Sequence, residues 1–334
     1  MDLTFGSHVP TAGRGVESAA MTTSSSTHRT PLVTDPDAAH RRRSLVLALV
    51  VALRPKQWVK NLLVYAVPLA AGKLANRDNM TDATIAFVCF CAVASATYLV
   101  NDVIDAPADR AHPSKRFRPI AARELPVPAA LVVAGLLVVV ALVVAARSTY
   151  PSFLLTLVAY LVCTVSYSIR LKHEPVVELV LIAAGFVLRA TAGGTATGIP
   201  ISPWFLTVAA FGSLFMAAGK RYSEFVSLGD DRSDSRPALA GYSATYLRFV
   251  WTVAAGIMLT AYCLWAFQVG VRDRGTLPLA AWSVVPFIIA VLRFALDIDR
   301  GDAGAPEDIA LHDRVLQVTA LVWLVMFGLG AVGL

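Results

Sequence analysis

Residues 83–100 read ATIAFVCFCAVASATYLV and residues 101–109 read NDVIDAPAD, so a long run without charge ends directly in three aspartates. About 20 residues of α-helix cross the hydrocarbon core of a bilayer, and the apolar run is close to that length. Carboxylates at the edge of a bilayer are unfavourable unless they meet a cation. The stretch therefore predicts a membrane helix whose end binds a cation.

Apolar runs of this kind recur through the chain, which is 56% hydrophobic and 16% charged with a mean hydropathy of +0.62. The others cover residues 127–146, 151–165, 176–188, 203–218, 249–267, 279–292 and 315–334. An earlier run, 45–53 plus 58–71, is interrupted by Arg54-Pro55-Lys56 and is counted as one kinked helix. We predict an all-α polytopic membrane protein with nine transmembrane helices in one domain, residues 44–334.

The basic residues orient this bundle. Lys and Arg concentrate in alternate connections and near the N-terminus, which predicts a multi-pass protein of the cell (plasma) membrane with a cytoplasmic N-terminus. Residues 1–43 are rich in Ser, Thr, Gly and Pro and lack periodicity, and we interpret them as a disordered cytoplasmic tail. The pI near 9.3 follows from topology and an anion site, so we expect no nucleic-acid binding.

Four polar residues follow the first quoted run at helical spacing. Asn101, Asp102, Asp105 and Asp109 occupy an arc of about 100° on a helix, so one face would present oxygen ligands to Mg²⁺. Pro107 disfavours helix at the preceding residue, and Asp109 could thus leave the shared face. A solvated helix cap is the alternative interpretation.

Basic residues come next, on the same predicted face of the membrane. Lys115, Arg116 and Arg118 would clamp phosphates, or they could reflect the orientation bias alone. Tyr167 and Lys172 end the fourth predicted helix and would reach a phosphate or a sugar hydroxyl, although an interfacial Tyr and Lys are also ordinary anchors.

Ionisable residues within or beside later spans favour a functional interpretation. Glu178 and Arg189 lie on one side of the fifth helix, and Gly185 and Gly193, each four residues from Arg189, would allow a neighbour to approach closely there. A structural buried pair, with each other or with another helix, is the alternative.

Two further basic clusters would hold a lipid phosphate or act as interfacial anchors. They are Lys56 with Lys60, which would share a helical face, and Lys220 with Arg221.

Three motifs together resemble the UbiA superfamily of intramembrane prenyltransferases. They are Asn101-Asp102-x-x-Asp105-x-x-x-Asp109, Tyr167-Ser168-x-x-Leu171-Lys172 and Gly185-Phe186-x-Leu188-Arg189-x-x-x-Gly193. Within the superfamily, three longer segments (residues 54–61, 112–121 and 202–224) are similar to the actinobacterial members that build a cell-wall precursor.

The resemblance implies nine helices around a polar cavity that opens to the cytoplasm. It also implies a Mg²⁺-dependent pentosyl (phosphoribosyl) transferase, which moves 5-phosphoribose from 5-phosphoribosyl 1-diphosphate to a polyprenyl (decaprenyl) phosphate and releases diphosphate for arabinan synthesis. The superfamily carries a second pair of aspartates on the fifth helix. Here Glu178 is present but the position four later is Ile182, which puts a second metal pair in doubt.

On this basis each candidate residue receives an expected role. Asp102 and Asp105 are expected to be catalytic, and the metal ligands are Asn101, Asp102, Asp105 and Asp109. The donor would contact Lys115, Arg116, Arg118, Tyr167, Lys172 and Glu178. The acceptor phosphate would contact Lys56, Lys60, Arg189, Lys220 and Arg221. The rival functions are a UbiA-type enzyme with a prenyl diphosphate donor and a membrane transporter, and a homo-oligomer is an open alternative.

Overall fold

The structure is a computed structural model that describes residues 43–148, 150–227, 239, 241–272, 279–304, 309 and 312–332. All regular secondary structure within these ranges is helical, as predicted. The expected tail lies outside the described residues, apart from Arg43.

The helices follow the order of the predicted runs. The α-helices are α1 Leu45–Ala52, α2 Ala66–Ala70, α3 Arg77–Ala111, α4 Val127–Ala146, α5 Pro151–Ile169, α6 Val177–Thr197, α7 Pro203–Ser227, α8 Ala244–Arg272, α9 Leu279–Trp282, α10 Val284–Arg300 and α11 Arg314–Val332. Three 3₁₀ helices connect them: Pro55–Tyr65, Lys115–Phe117 and Leu171–His173.

Six helical segments of the described chain are long and apolar enough to cross a membrane. They are Arg77–Ala111, Val127–Ala146, Pro151–Ile169, Val177–Thr197, Ala244–Gln268 and Leu279–Arg300. The protein is therefore a multi-pass membrane protein. The predicted number of nine is not confirmed, because the first run is broken into short helices, α7 carries a polar end, and the apolar part of α11 is shorter.

The first predicted helix breaks at the residue before a proline. Arg54 has left-handed backbone angles (φ 54°, ψ 59°) and Pro55 starts an 11-residue 3₁₀ helix, because a residue before proline avoids the α conformation. Ser95 of α3 fixes this joint: its hydroxyl donates to the Leu53 carbonyl at 2.9 Å and accepts the indole N–H of Trp58 at 3.0 Å. The joint is thus attached to the helix that carries the aspartates.

Helix α3 has 35 residues and continues through Pro107 to Ala111. At 1.5 Å per residue it is about 50 Å long, whereas the hydrocarbon core is about 30 Å thick. Its polar last turns must therefore project from the apolar layer. We call the end of the bundle that carries residues 101–118 the aspartate end.

Helix α6 packs closely against the 3₁₀ helix Pro55–Tyr65. A Cβ atom added to Gly193 would collide with the carbonyl oxygen of Val64, so only glycine permits this approach. The predicted close contact at Gly193 is confirmed, and it brings the joint region and α6 together. At Gly185 an added Cβ atom would meet, among the described residues, only the side chain of Arg189 of the same helix, so no neighbouring element approaches there.

Candidate functional site at the aspartate end

Two of the three aspartates converge on one guanidinium group. Arg118 Nη1 lies 3.2 Å from Asp102 Oδ1 and 2.8 Å from Asp109 Oδ2. Arg54 Nη2 binds the same Asp102 oxygen at 2.5 Å, and its guanidinium lies over the ring of Tyr98. Because α3 stays helical past Pro107, Asp109 remains on the face of Asp102. We call Arg54, Asp102, Asp109 and Arg118 the open cluster.

The open cluster remains accessible from one side. The side chains of Asp102 and Asp109 are only 3% and 5% exposed, but those of Arg54 and Arg118 are about 30% exposed. A ligand can therefore reach the cations and, by displacing them, the carboxylates.

Asp105 points in another direction, toward the end of α5. Its side chain is 40% exposed, and its Oδ1 atom lies 3.5 Å from Lys172 Nζ. A step of three residues rotates a helical position by about 60° from the starting face, which accounts for the separation. The structure thus brings the predicted metal ligand Asp105 next to Lys172, a residue predicted to bind the donor.

Asn101 lines a different space from Asp102. It borders an apolar groove of about 470 Å³ between α3, α4 and α5, together with Thr97 and Ser168, and Gly135 widens the groove on α4. Asp102 borders a pocket on the other side of α3. The four predicted metal ligands are therefore not assembled around one point.

The donor set of the open cluster nevertheless suits a hard divalent cation. Within the described ranges, no three His, Cys, Asp or Glu side chains form a ready metal site. However, Mg²⁺ commonly uses only one or two carboxylates and completes its shell with water and phosphate oxygens. Asp102 and Asp109 already share one positive group, Arg118 Nη1. The carboxylates of Asp102 and Asp109 fit such an ion, whereas Asp105 faces Lys172.

Of the three predicted phosphate-clamping residues, Arg118 turns back to the aspartates. Lys115 and Arg116 lie on the 3₁₀ helix Lys115–Phe117 and are exposed, and Arg116 stacks on the ring of Phe117 at 4.8 Å. They border the site from the solvent side.

A second acid–base cluster lies at the same end, between α6 and α7. Arg221 makes a two-pronged ion pair with Glu178 at 2.7 and 2.8 Å and a third bond to Glu224 at 2.6 Å. The side chains of Glu178 and Arg221 are 1% and 4% exposed. We call Glu178, Arg221 and Glu224 the closed cluster. Two residues expected on different substrates are thus bound to each other, and Lys220 beside them is half-buried.

The start of α6 is held in an unusual conformation. Val176 has φ 66° and ψ −52°, and the N–H of Val177 donates to the Pro175 carbonyl at 2.7 Å. This tight turn is rare and costs about 1–3 kcal/mol. The hydroxyl of Tyr242 accepts the N–H of Val176 at 2.6 Å, and burial raises the pKa of Tyr242 to about 12. The turn places Glu178 against Arg221.

Arg189 is buried in the middle of α6 and contacts neutral groups. It donates to the Asn61 side chain at 2.8 Å, the Tyr160 hydroxyl at 2.6 Å and the Gly185 carbonyl at 2.9 Å, and it also lies over the Tyr160 and Phe186 rings. Cation–π contacts and these hydrogen bonds stabilise its charge. The considered pair of Arg189 with Glu178 is not formed, because Glu178 binds Arg221.

The prediction that Lys56 and Lys60 share a helical face is wrong. They lie on a 3₁₀ helix, in which residues three apart are aligned and residues four apart are not. Lys60 instead aligns with Leu63, which lines two apolar cavities of about 470 and 230 Å³. Lys56 is exposed.

The sequence interpretation missed a pocket beside Asp102. It has a volume of about 300 Å³ and is lined by Arg43, Val51, Arg54, Asp102, Ser114, Phe117, Arg118 and Pro119. In the sequence Arg54 marks only the interruption of the first apolar run, and the one signal that it turns inward is the proline that follows it. No sequence pattern indicates that Arg43 lines this pocket.

The chain belongs to the UbiA prenyltransferase family, whose model matches residues 61–311. Two of its relatives are each named decaprenyl-phosphate phosphoribosyltransferase. The one from Corynebacterium glutamicum is 49% identical over 292 residues, covering 84% of this chain and 86% of the relative. The one from Mycobacterium tuberculosis is 48% identical over 301 residues, covering 89% and 97%.

A solved structure supports the fold. The chain resembles a UbiA homolog from Archaeoglobus fulgidus bound to GPP and Mg²⁺, with a TM-score of 0.65 and 18% identity, over 86% of this chain and 100% of that one. At this identity the likeness shows a common fold, and the family assignment is consistent with it.

Proposed function

We propose that this protein transfers 5-phosphoribose from 5-phosphoribosyl 1-diphosphate to a polyprenyl phosphate, decaprenyl phosphate in the first instance, and releases diphosphate. The observation that carries the proposal is the similarity to relatives of that name over 84–89% of the chain. The aspartate end supports it, because acids suited to a metal lie beside cations suited to phosphates.

Mg²⁺ would be held by Asp102 and Asp109, with Asp105 close by and Asn101 the least well placed. When bound, the ion would neutralise charge on the departing diphosphate. Glu178 is already neutralised by Arg221, which favours one metal centre over the two that the family pattern suggests. We therefore assign the closed cluster a structural role.

The chain's own residues act by position and charge. Arg54, Arg118 and Lys172 would orient the phosphorylated donor, with Lys115, Arg116 and Tyr167 at the border. An acceptor phosphate oxygen forms the new bond to ribose C1 as the bond from C1 to the diphosphate oxygen breaks, so we expect inversion at C1. A phosphate monoester is nucleophilic near neutral pH, and no protein base is required.

The acceptor would approach along the 3₁₀ helix Pro55–Tyr65. Lys60 aligns with Leu63, so a phosphate at Lys60 would leave its polyprenyl chain in the apolar cavities at Leu63. Lys56 and Lys220 would add charge from solvent and from α7. Arg189 fixes Asn61, the neighbour of Lys60, and in this arrangement it positions the acceptor side.

The membrane arrangement completes the proposal. Helices occur at all nine predicted positions within the described ranges, and we keep nine spans, residues 44–334 as the catalytic domain and residues 1–43 as the tail. The basic residues favour the plasma membrane with the N-terminus and the aspartate end in the cytoplasm.

The test is transfer of radiolabel from 5-phosphoribosyl 1-diphosphate to decaprenyl phosphate by the purified full-length chain in lipid. We expect labelled lipid and released diphosphate, both dependent on Mg²⁺. Turnover of a prenyl diphosphate without labelled lipid would establish the ordinary family activity instead. Metal-independent solute uptake into proteoliposomes, with Asp102→Asn unaffected, would indicate a transporter.

A further inference from the structure

We propose that the pocket lined by Arg43, Arg54 and Arg118 is a subsite for a phosphate monoester and takes the 5-phosphate of the donor. The inference rests on the proposed function, because that function supplies a donor with phosphates at both ends. It assigns the pocket a ligand group, adds Arg43 to the donor site and gives Arg54 and Arg118 a specified phosphate of the donor.

Three guanidinium groups from three separate segments meet at this pocket. Arg43 precedes α1, Arg54 is the left-handed joint, and Arg118 follows the 3₁₀ helix Lys115–Phe117. Each side chain is about 30% exposed, so each is held by the protein and still open to a ligand. Arginine forks match the oxygens of a phosphate group.

The existing contacts leave donors for such a ligand. Arg43 reaches Glu124 only at 3.4 Å, which is a weak bond. Arg118 contacts both aspartates through Nη1 alone among the described residues. Binding a phosphate would therefore add bonds to Arg43 and Arg118 without breaking the bonds of Arg118 to the two aspartates.

The size and lining of the pocket favour a phosphorylated sugar. Its volume of about 300 Å³ exceeds what a bare phosphate fills, and the lining adds the Ser114 hydroxyl and the flat surfaces of Phe117 and Pro119. Asp102 is in the same lining. The pocket has a metal-binding part at Asp102 and a basic part at Arg43. A ligand with an anionic group at each end would bind both parts, one end through the metal and the other through Arg43.

The joint at Arg54 explains why the pocket exists. In a continuous helix Arg54 would be one more residue of α1, but the left-handed backbone turns the chain toward α3. Ser95 holds the turn and Tyr98 supports the guanidinium. The proline that follows Arg54 is thus the sequence feature that places the Arg54 side chain in the lining of the pocket.

The test separates the two ends of the donor by using fragments as probes. Ribose 5-phosphate carries only the sugar phosphate, and inorganic diphosphate carries only the leaving group. Binding of each is measured on the full-length chain in lipid without acceptor, so turnover is not needed. In Arg43→Gln we expect affinity for ribose 5-phosphate to fall by about tenfold, typical of one lost charge-assisted contact, and affinity for diphosphate to stay unchanged.

Two variants and one assay serve as controls. Arg43→Lys keeps the charge and should recover part of the affinity. Arg110→Gln makes the same charge change in the last turn of α3, where Arg110 donates to the Ala121 carbonyl outside the pocket, and it should leave both affinities unchanged. In the transfer assay Arg43→Gln should raise KM for the donor and leave kcat unchanged.

Two outcomes would overturn the subsite, and a third would overturn only the proposed function. Loss of diphosphate affinity alone would place the leaving group here. A raised KM for the lipid phosphate, or weaker binding to vesicles with anionic lipid, with ribose 5-phosphate binding intact, would show that the pocket holds a lipid headgroup. If ribose 5-phosphate binding depends on Arg43 but no phosphoribose is transferred, the proposed function fails while the subsite stands.

Discussion

Two acid–base clusters lie at the same end of this membrane bundle and differ in access. In the closed cluster, Glu178 and Arg221 bind each other with two hydrogen bonds and are almost fully buried. In the open cluster, the carboxylates are buried but the arginines are about 30% exposed. Buried ion pairs of matched geometry have no bonds left for a ligand. Accessible arginines over buried carboxylates still have hydrogen-bond donors free to bind a ligand. Charge alone therefore does not identify a binding site, and the exposure of the charged groups must be known as well.

The largest expected effect is on catalysis by the open cluster. Asp102→Asn should lower kcat/KM about a thousandfold, which is about 4 kcal/mol of activation free energy, because the amide loses the charge that holds a metal and two arginines. The radiolabel transfer assay measures the loss of activity. The helical content from circular dichroism and the recovery of the variant in the membrane fraction serve as controls for folding. A folded variant that keeps a tenth of the activity would show that the open cluster is not the site.

The closed cluster should affect stability. Glu178→Ala leaves Arg221 buried beside a single acid, Glu224, and should reduce the free energy of unfolding by about 3–5 kcal/mol. The matched control is the double variant Glu178→Leu with Arg221→Met, which removes both charges of the buried pair and costs only the Arg221 contact of the more exposed Glu224, so most of the stability should return. Thermal denaturation of both in lipid measures this. A stable Glu178→Ala protein that has lost activity would move the closed cluster into the substrate site.

Asp105 tests the boundary of the open cluster. Asp105→Asn should reduce transfer by more than about tenfold, or 1.4 kcal/mol, but by less than Asp102→Asn, because the Asp105 side chain is 40% exposed and its ion pair with Lys172 is long, at 3.5 Å. Transfer rates at several Mg²⁺ concentrations measure it, and a weaker apparent metal affinity should accompany the loss. Full activity at all concentrations would remove Asp105 from the metal site.

The smallest expected effect concerns the turn that places Glu178. Tyr242→Phe removes the acceptor for the Val176 N–H and should cost about 1 kcal/mol of stability. Tyr246→Phe, in the ring stacked on Tyr242 at 5.9 Å, is the control and should be neutral. Because burial raises the pKa of Tyr242 from 10.0 to about 12, burial of the neutral phenol should make wild-type stability fall as pH rises from 10 toward 12, and Tyr242→Phe should lack this pH dependence. Equal stability of both variants would contradict the role of the hydroxyl.

Residue spacing in the sequence predicted which side chains share a face of an α-helix. It did not predict side-chain positions that depend on contacts between different helices. The seven-residue spacing of Asp102 and Asp109 placed them on one face, and the structure confirms it. The inward turns of Arg54 and Arg118 depend on a broken helix and a short 3₁₀ turn, which spacing does not show. Lys56 and Lys60 were predicted to share a face on the assumption of an α-helix, whereas the segment forms a 3₁₀ helix. The pairing of Glu178 with Arg221 joins two helices, and no local pattern in either one indicates it.

The most direct measurement compares metal binding at the two clusters. Mn²⁺ replaces Mg²⁺ in electron paramagnetic resonance titrations of the full-length protein in lipid, with 5-phosphoribosyl 1-diphosphate present. The account predicts a bound ion that is lost in Asp102→Asn and retained in Glu224→Gln, the matched change of one acid in the closed cluster. An ion that persists in Asp102→Asn and disappears in Glu224→Gln would contradict it.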